Sequence, residues 1–330
     1  MVLYMKHKNT VKRNTKDPKN RMLSVPVRDV RLKKDMTVRS LIQSMDRIGG
    51  FSAQHMVDGI KILEGMKNDS SSFNFLSFPA CIVSTGIRGI IADSVKHFDA
   101  VITTCGTLDH DIARAAGGKY VLGSFNADDA ELHRKHIYRL GNIFMEDKEY
   151  GMALEEKFKE IMEEIYSSKG YKKEYSPSEL AYEFGKRIKD EGSILRQAYL
   201  NNVKVFIPGI VDGAFGTQLT LFSQDHDFKL NLLKDELELS NIAFDNKRTG
   251  ALMIGGGISK HHVIWWNQFK GGLDYAVYIT TATQYDGSLS GARLTEAVSW
   301  GKVREDAKYV TIDGDATIIL PIMFAASNIF

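Results

Sequence analysis

Apolar positions along the chain follow two periods. From Thr37, residues Val38, Leu41, Ile42, Met45 and Ile48 recur at helical spacing and stop at Gly49-Gly50. A second helix is expected next, with Ser52 as its N-cap and Met56, Ile60, Ile62 and Leu63 turned inward. Short β-prone runs then alternate with helical stretches. The runs 80–83 and 100–104 lead into Ser84-Thr85-Gly86 and Cys105-Gly106-Thr107, each before a helix. Leu154, Phe158, Ile161, Met162 and Ile165 predict an amphipathic helix over 152–166, and Ser176-Pro177-Ser178-Glu179 has capping-box spacing with proline at the first helical position. In the second half, 203–207 runs into Pro208-Gly209 and Asp212-Gly213, 251–254 into Gly255-Gly256-Gly257 and a helix with Ser259 as N-cap, and 275–280 into Thr281-Ala282-Thr283. The runs 309–312 and 317–322 read as closing strands. This grammar predicts an α/β, doubly wound, mainly parallel sheet with flanking helices and an N-terminal helical extension. With no internal repeat or long linker, residues 37–330 are expected to form one α/β domain behind an extension at 1–36.

Composition adds little until it is divided along the chain. The 330 residues are 43% hydrophobic and 25% charged, ordinary for a globular protein with a sizeable core. Residues 1–36 hold eleven Lys/Arg and three Asp, and the remainder holds 32 basic and 38 acidic groups, so a net charge of +2 conceals a basic tail on an acidic body. Residues 1–22 are polar, basic and aperiodic, the pattern of a disordered or partner-docked tail. Cys81 and Cys105 make no disulfide framework, and no Cys/His cluster has zinc spacing, so no metal is expected. The longest apolar run, 318–326, is nine residues interrupted by Pro321, far short of the ~20 that span a bilayer. No apolar leader opens the chain, and a cytoplasmic location without membrane or nucleic-acid partners is the expectation.

Several motifs admit both a chemical and a plain reading. Gly255-Gly256-Gly257 between a strand and a helix is either a phosphate cradle or a tight turn, and it lacks the GxGxxG pattern. Lys260-His261-His262 follows at once. Adjacent histidines on a helix point apart, so they rarely share a metal; one of them moves protons at the glycine loop, or both are ordinary packed or solvated residues. Asp212-Gly213 and Asp286-Gly287 are turn signals that can also hold a hydroxyl or a cation. In Glu296-Ala297-Val298-Ser299-Trp300-Gly301-Lys302, an extended backbone places Trp300 and Lys302 on one face. A lysine against an aromatic wall loses its proton by desolvation, about three pK units or roughly 4 kcal/mol for neutrality near pH 7. A neutral amine is the nucleophile of imine chemistry; the plain alternative is a surface lysine near a core tryptophan.

Taken together, these residues resemble the deoxyhypusine synthase family. The resemblance rests on Asp274-Tyr275-Ala276-Val277-Tyr278-Ile279, Asp286-Gly287-Ser288, Ser290-Gly291-Ala292-Arg293, Glu296 to Lys302, Gly255 to Gly257 with Lys260-His261-His262, Asp212-Gly213 with Gly216, and Ser84 with Gly86-Ile87-Arg88, and it runs in order over about residues 38–325. It implies a Rossmann-like fold, a homotetramer with active sites at subunit interfaces, and NAD as a bound hydride carrier. The implied reaction moves the 4-aminobutyl group of spermidine onto one lysine of the translation initiation factor 5A precursor, through an imine on an enzyme lysine. By position, Lys302 is the implied imine-forming nucleophile, and His261 its proton shuttle or hydrogen-bond partner. Trp300 would wall the aminobutyl chain and Glu296 would face an amine end, with Gly287, Asp109 and His110 completing the amine site. NAD contacts would come from Ser84, Thr104, Cys105, Gly106, Asp212, Gly256, Thr281, Ala282, Ser290, Asp315 and Ala316. Where the eukaryotic pattern puts acidic contacts to spermidine, this chain has His110, Thr217 and Leu289, and Leu108-Asp109-His110-Asp111 is the pattern of archaeal members. Asp109 and Asp111 are therefore expected to compensate as amine ligands. The alternatives are a homospermidine synthase type, with putrescine as acceptor, and a non-catalytic regulatory member of the family. The basic tail is expected to reach a neighbouring subunit.

Overall fold

The computed structural model describes residues 26–327 and 329. Its strands are β1 Ser72–Ser77, β2 Ala100–Ile102, β3 Val121–Leu122, β4 Ile137–Leu140, β5 Ile143–Glu146, β6 Glu174–Tyr175, β7 Lys204–Phe206, β8 Lys229–Leu230, β9 Arg248–Ile254, β10 Leu273–Thr280 and β11 Val303–Asp313. Six of them form one sheet in the order β11-β10-β9-β1-β2-β7, with every pair parallel. The chain lays down β1, β2 and β7 in one direction, then returns to add β9, β10 and β11 on the other side of β1. Strand order thus reverses between β1 and β9, and in an open α/β sheet the crevice at the carboxyl ends of such a pair is the usual ligand site.

Successive strand residues feed two cores. Leu76, Val101, Val205, Leu252, Val277 and Val310 pack on one face, under helices that include Phe51–Asn68, Cys105–Ala115, Gly151–Ser167 and Ala316–Ala326. Phe75, Ala100, Phe206, Ala251, Ala276 and Tyr278 pack on the other, with Leu239, Val263, Ile264 and Leu294 from helices Leu232–Asp245, Ile258–Gln268 and Leu294–Ser299. The expected doubly wound architecture is present. Burial on both faces is why these strands read as solid apolar runs rather than alternating ones. The predicted N-terminal helix spans Val38–Ile48, capped by the Thr37 hydroxyl, and sends Ile42 into the first core. The capping box is also formed: the Ser176 hydroxyl accepts from the Glu179 N–H, and the Glu179 carboxylate accepts from the Ser176 N–H.

Four local expectations are corrected. The run 80–83 is a 3-10 turn, Ala80–Ser84, and the strand is β1 just before it. The run 317–322 lies within the helix Ala316–Ala326, where the Asp315 carboxylate caps the Thr317 N–H and Pro321 is accommodated inside. Ser52 and Ser259 lie one residue inside their helices, whose N-caps are Gly50 and Gly257. A three-stranded antiparallel sheet, β3-β5-β4, and a parallel pair, β6-β8, complete the topology. Of the basic extension, residues 1–25 lie outside the described residues; 26–36 are irregular, with the Arg28 N–H donating to the Arg47 carbonyl at 2.9 Å.

Candidate active site

The sequence-selected residues gather in three places. The first is the carboxyl edge of the large sheet. The turn after β1 holds Ser84, whose hydroxyl donates to the Cys81 carbonyl at 2.7 Å. After β2 come Thr104, accepting from the Ala80 N–H at 3.1 Å, and Cys105-Gly106 opening the helix Cys105–Ala115. After β9 come Gly255 to Gly257, after β10 Thr281 and Ala282, and after β11 Asp315 and Ala316. Burial, then Asp109, pushes the Cys105 thiol up to about 12, so it is an inert packing group.

Two features of this edge suit a dinucleotide. The helices Cys105–Ala115 and Ile258–Gln268 begin without a side-chain cap, leaving first-turn N–H groups for an anion. Gly257 has φ +75 with open space where a Cβ would stand, and Gly256 lies so close to Ser290 that a Cβ would sit 2.3 Å from the Ser290 Cα. The glycine loop therefore presents bare backbone to the crevice on one side and carries the Ser290 loop on the other. Asp212 is exposed beside this edge, just before the helix Ala214–Asp225.

The second place surrounds Lys302. Trp300 ends the short helix Leu294–Ser299 and Gly301 turns at φ +66, so the Trp300-Lys302 pair sits on a turn and not in the extended backbone expected. The side chains meet nonetheless. Lys302 is only 9% exposed, and its Nζ lies 5.4 Å from the Trp300 ring centroid and 5.6 Å from that of Trp265. Trp265 stacks on His261, centroids 5.4 Å apart, one helical turn away. Burial, then the Lys302 charge, holds the His261 imidazole below its ordinary pKa, so it is neutral at pH 7 and free to accept a proton. His262 points elsewhere, pairing with Glu236 at 3.1 Å, as adjacent helical positions require. Glu296 is exposed one turn before Trp300. Trp265 went unrecognised in the sequence, although its i+4 spacing from His261 is a usable signal.

The third place lies beyond β2. Asp109 is buried, and its carboxylate accepts from the Ala214 and Phe215 N–H groups at 3.1 and 2.8 Å and from the Tyr150 hydroxyl at 3.3 Å. It caps the helix Ala214–Asp225. Asp111 accepts from Arg88 Nε at 2.6 Å, the Ser193 hydroxyl at 2.7 Å and the Ile194 and Leu195 N–H groups. Both carboxylates are thus engaged within the protein. Burial lowers the His110 imidazole to about 4; its Nδ1 lies 3.0 Å from the Tyr120 hydroxyl. Four strand spacings separate β2 from β11, on the order of 19 Å, so His110 and Lys302 of one chain do not share a small amine. Gly287 stands apart from both, exposed at φ +70 in the loop after β10.

A buried lysine next to this site was also unforeseen. Lys260 is 1% exposed and donates to the Leu289 and Ala292 carbonyls at 2.9 and 2.8 Å. Burial lowers its ammonium to about 7.

Comparison with known proteins gives this arrangement a context. The model of the family described as deoxyhypusine synthase matches residues 40–327. The chain belongs to the deoxyhypusine synthase family. A Picrophilus torridus protein named "Probable deoxyhypusine synthase" is 54% identical over 310 residues, 93% of this chain and 98% of its own. A Thermoplasma volcanium protein of the same name is 53% identical, covering 92% and 97%. Both relatives are archaeal, matching the family branch indicated by Leu108-Asp109-His110-Asp111. An Entamoeba histolytica crystal structure named "putative deoxyhypusine synthase" superposes with a TM-score of 0.63 at 21% identity, covering 91% of this chain and 96% of that one, a likeness of fold alone. Family membership makes the chain a transferase. Among the described residues, no helix is long and apolar enough to cross a membrane.

Proposed function

We propose that this chain transfers the 4-aminobutyl group of spermidine to a lysine of the translation initiation factor 5A precursor, through an imine on Lys302, with NAD as resident cofactor. The observation that carries the reading is a buried lysine amine between two indole faces, beside a neutral imidazole, in a chain of this family. NAD, when bound, supplies hydride acceptance and return. The two uncapped helix N-termini, the bare Gly256-Gly257 backbone and the loops holding Ser84, Thr104 to Gly106, Asp212, Thr281-Ala282, Ser290 and Asp315-Ala316 would hold it, each by a backbone donor or short polar side chain at the carboxyl edge.

The chain's own residues account for the remaining steps. Trp265 and Trp300 present π-faces that attract an ammonium and exclude water from a butyl chain. His261, neutral and within electrostatic reach of Lys302, takes the proton that the amine must shed before attack. Lys302 then forms a covalent C=N bond with the butylamine carbon as diaminopropane leaves, and the acceptor lysine displaces it, splitting one substitution into two imine exchanges. Glu296 offers an anion to the distal amine. Trp300 is 61% exposed and Trp265 39%. Exposed indoles beside a buried nucleophile, together with the separation of His110 from Lys302, support an active site completed by a second copy in a homotetramer. Residues 37–330 act in this reading as one catalytic domain and 1–36 as a basic extension.

The test is an acceptor assay followed by mass spectrometry: enzyme, NAD and spermidine with either the factor 5A precursor or putrescine. A butylamine mass added to the precursor lysine supports the reading. Homospermidine as the sole product would reassign the acceptor, and no product with either would make the chain a non-catalytic relative.

A further inference from the structure

The carboxyl-edge loop 286–293 joins the 3-10 turn Gln284–Asp286 to the helix Leu294–Ser299 through turns and irregular chain, yet its 289–292 stretch is held by buried groups the reaction does not use. Lys260 leaves the first turn of helix Ile258–Gln268 in a different direction from its neighbour His261 and is buried. Its Nζ reaches the Leu289 carbonyl at 2.9 Å, the Ala292 carbonyl at 2.8 Å, and a point 3.7 Å above the Tyr278 ring. Tyr278 in turn donates its hydroxyl to the Ser290 carbonyl at 2.6 Å, and the Thr280 hydroxyl donates to the same oxygen at 2.9 Å. Three backbone carbonyls, those of Leu289, Ser290 and Ala292, are therefore fixed from β10 and from the glycine-loop helix.

We infer that Lys260 is a positioning residue: its ammonium clamps the 289–292 segment so that Ser290 is held against Gly256 in the geometry that receives the cofactor. This rests on the reading that the carboxyl edge binds NAD. The donor count favours the charged form. An ammonium has three N–H groups, which match two carbonyls and one aromatic face; a neutral amine would turn a lone pair onto one of those electron-rich partners. The contact that results is tight, since a Cβ on Gly256 would sit 2.3 Å from the Ser290 Oγ and one on Gly291 would collide with the Thr283 carbonyl. Lys260 has no opening to a polyamine, which separates it from Lys302 as a nucleophile. The charged groups facing it are Glu296, which favours its ammonium, and Arg293 and Lys302, which oppose it; Tyr278, the packed group from β10, has its phenol pushed above its usual range by burial. Near neutral pH the clamp is thus close to its own titration midpoint, and it weakens as pH rises.

The test uses Lys260→Met, which keeps the stem and removes the charge, with two readouts. Hydrogen exchange without cofactor reports the clamp, and NADH fluorescence titration reports its consequence. The expected result is loss of protection confined to residues 286–293 with the rest of the sheet unchanged, and an NADH Kd raised at least tenfold. Borohydride trapping on Lys302 at saturating NAD should persist. Unchanged loop protection overturns the clamp, and lost protection with unchanged NADH affinity overturns its positioning role. Loss of trapping at saturating NAD would place Lys260 in the chemistry instead. If wild-type protein binds no NADH, the functional reading and the positioning role fall together, while the exchange data still report the clamp. If the variant does not fold, wild-type protein compared at pH 6 and pH 9 decides: loop protection factors should fall selectively at high pH, and level values overturn the inference.

Discussion

Removing the Asp111 carboxylate separates a structural from a ligand role more sharply than any other single change. In the folded chain it accepts four hydrogen bonds, from Arg88 Nε, the Ser193 hydroxyl and the N–H groups of Ile194 and Leu195, with no exposed side-chain surface. Asp111→Ala leaves Arg88 with Asp190 at 2.7 Å, so the guanidinium is not wholly unpaired. Breaking a buried pair by deleting one partner costs about 3–5 kcal/mol, and each stranded buried N–H adds about 1–3 kcal/mol when nothing replaces its acceptor. These effects overlap and Asp190 offsets part of the first, so a loss of about 4 kcal/mol is expected, a large part of the ~5–15 kcal/mol available to a domain. Urea denaturation followed by circular dichroism measures it as a shift in midpoint at constant slope. The Michaelis constant for spermidine, measured where the variant is folded, should stay within twofold of wild type. A variant of near-native stability with a strongly raised constant would refute the reasoning and restore Asp111 as an amine ligand.

Other expectations follow from the same geometry. Trp265→Ala removes one indole face from Lys302, a contact of about 0.5–2 kcal/mol, and should slow adduct formation several-fold at saturating NAD; an unchanged single-turnover rate would remove Trp265 from the site. Because burial and Lys302 depress His261, protonation should abolish its base function only at a pH below its ordinary 6.5. The acid limb of the trapping-rate profile should therefore inflect below 6.5 and vanish in His261→Ala; an inflection above 7 would contradict this. His110 has a folded pKa of about 4 against 6.5 unfolded, so the unfolded chain binds more protons and stability should fall as pH drops from 6.5 toward 4. His110→Gln should flatten that part of the urea-midpoint profile, and an unaltered slope would argue against a buried neutral imidazole. Gly256→Ala forces a Cβ onto the Ser290 backbone and should weaken NADH binding more than tenfold, which equal affinity would disprove.

The sheet was legible where strands are buried on both faces and end in polar loops, as 251–254 and 275–280 do. β1 was not, because Ser72, Asn74 and Ser77 interrupt its apolar residues. Asn74 is buried yet satisfied by the Met66 carbonyl, a partner no local pattern reveals. The final helix was misread for the opposite reason: Ile319, Leu320, Met323 and Phe324 are buried, but the outward positions Ile318, Ile322 and Ala325 are apolar too, so no polar face marks a helical period. In the site, Lys302, Trp300 and His261 were visible as residue types and order. Lys260 was visible only as the first residue of the Lys260-His261-His262 string, and its burial depends on where the 289–292 carbonyls fold back. Asp109 and Asp111 were visible only as neighbours of His110; the donors that hold their carboxylates lie far along the chain, at residues 193–195 and 214–215, where no local pattern reveals them.

The central claim is that Lys302 is the amine that becomes covalently joined to the butylamine fragment. Enzyme incubated with NAD and spermidine, reduced with borohydride, digested and sequenced by tandem mass spectrometry tests it directly. The account predicts one butylamine adduct on Lys302, dependent on NAD and lost in Lys302→Ala. An adduct on Lys260 or another lysine, or full transfer activity in Lys302→Ala, would contradict it.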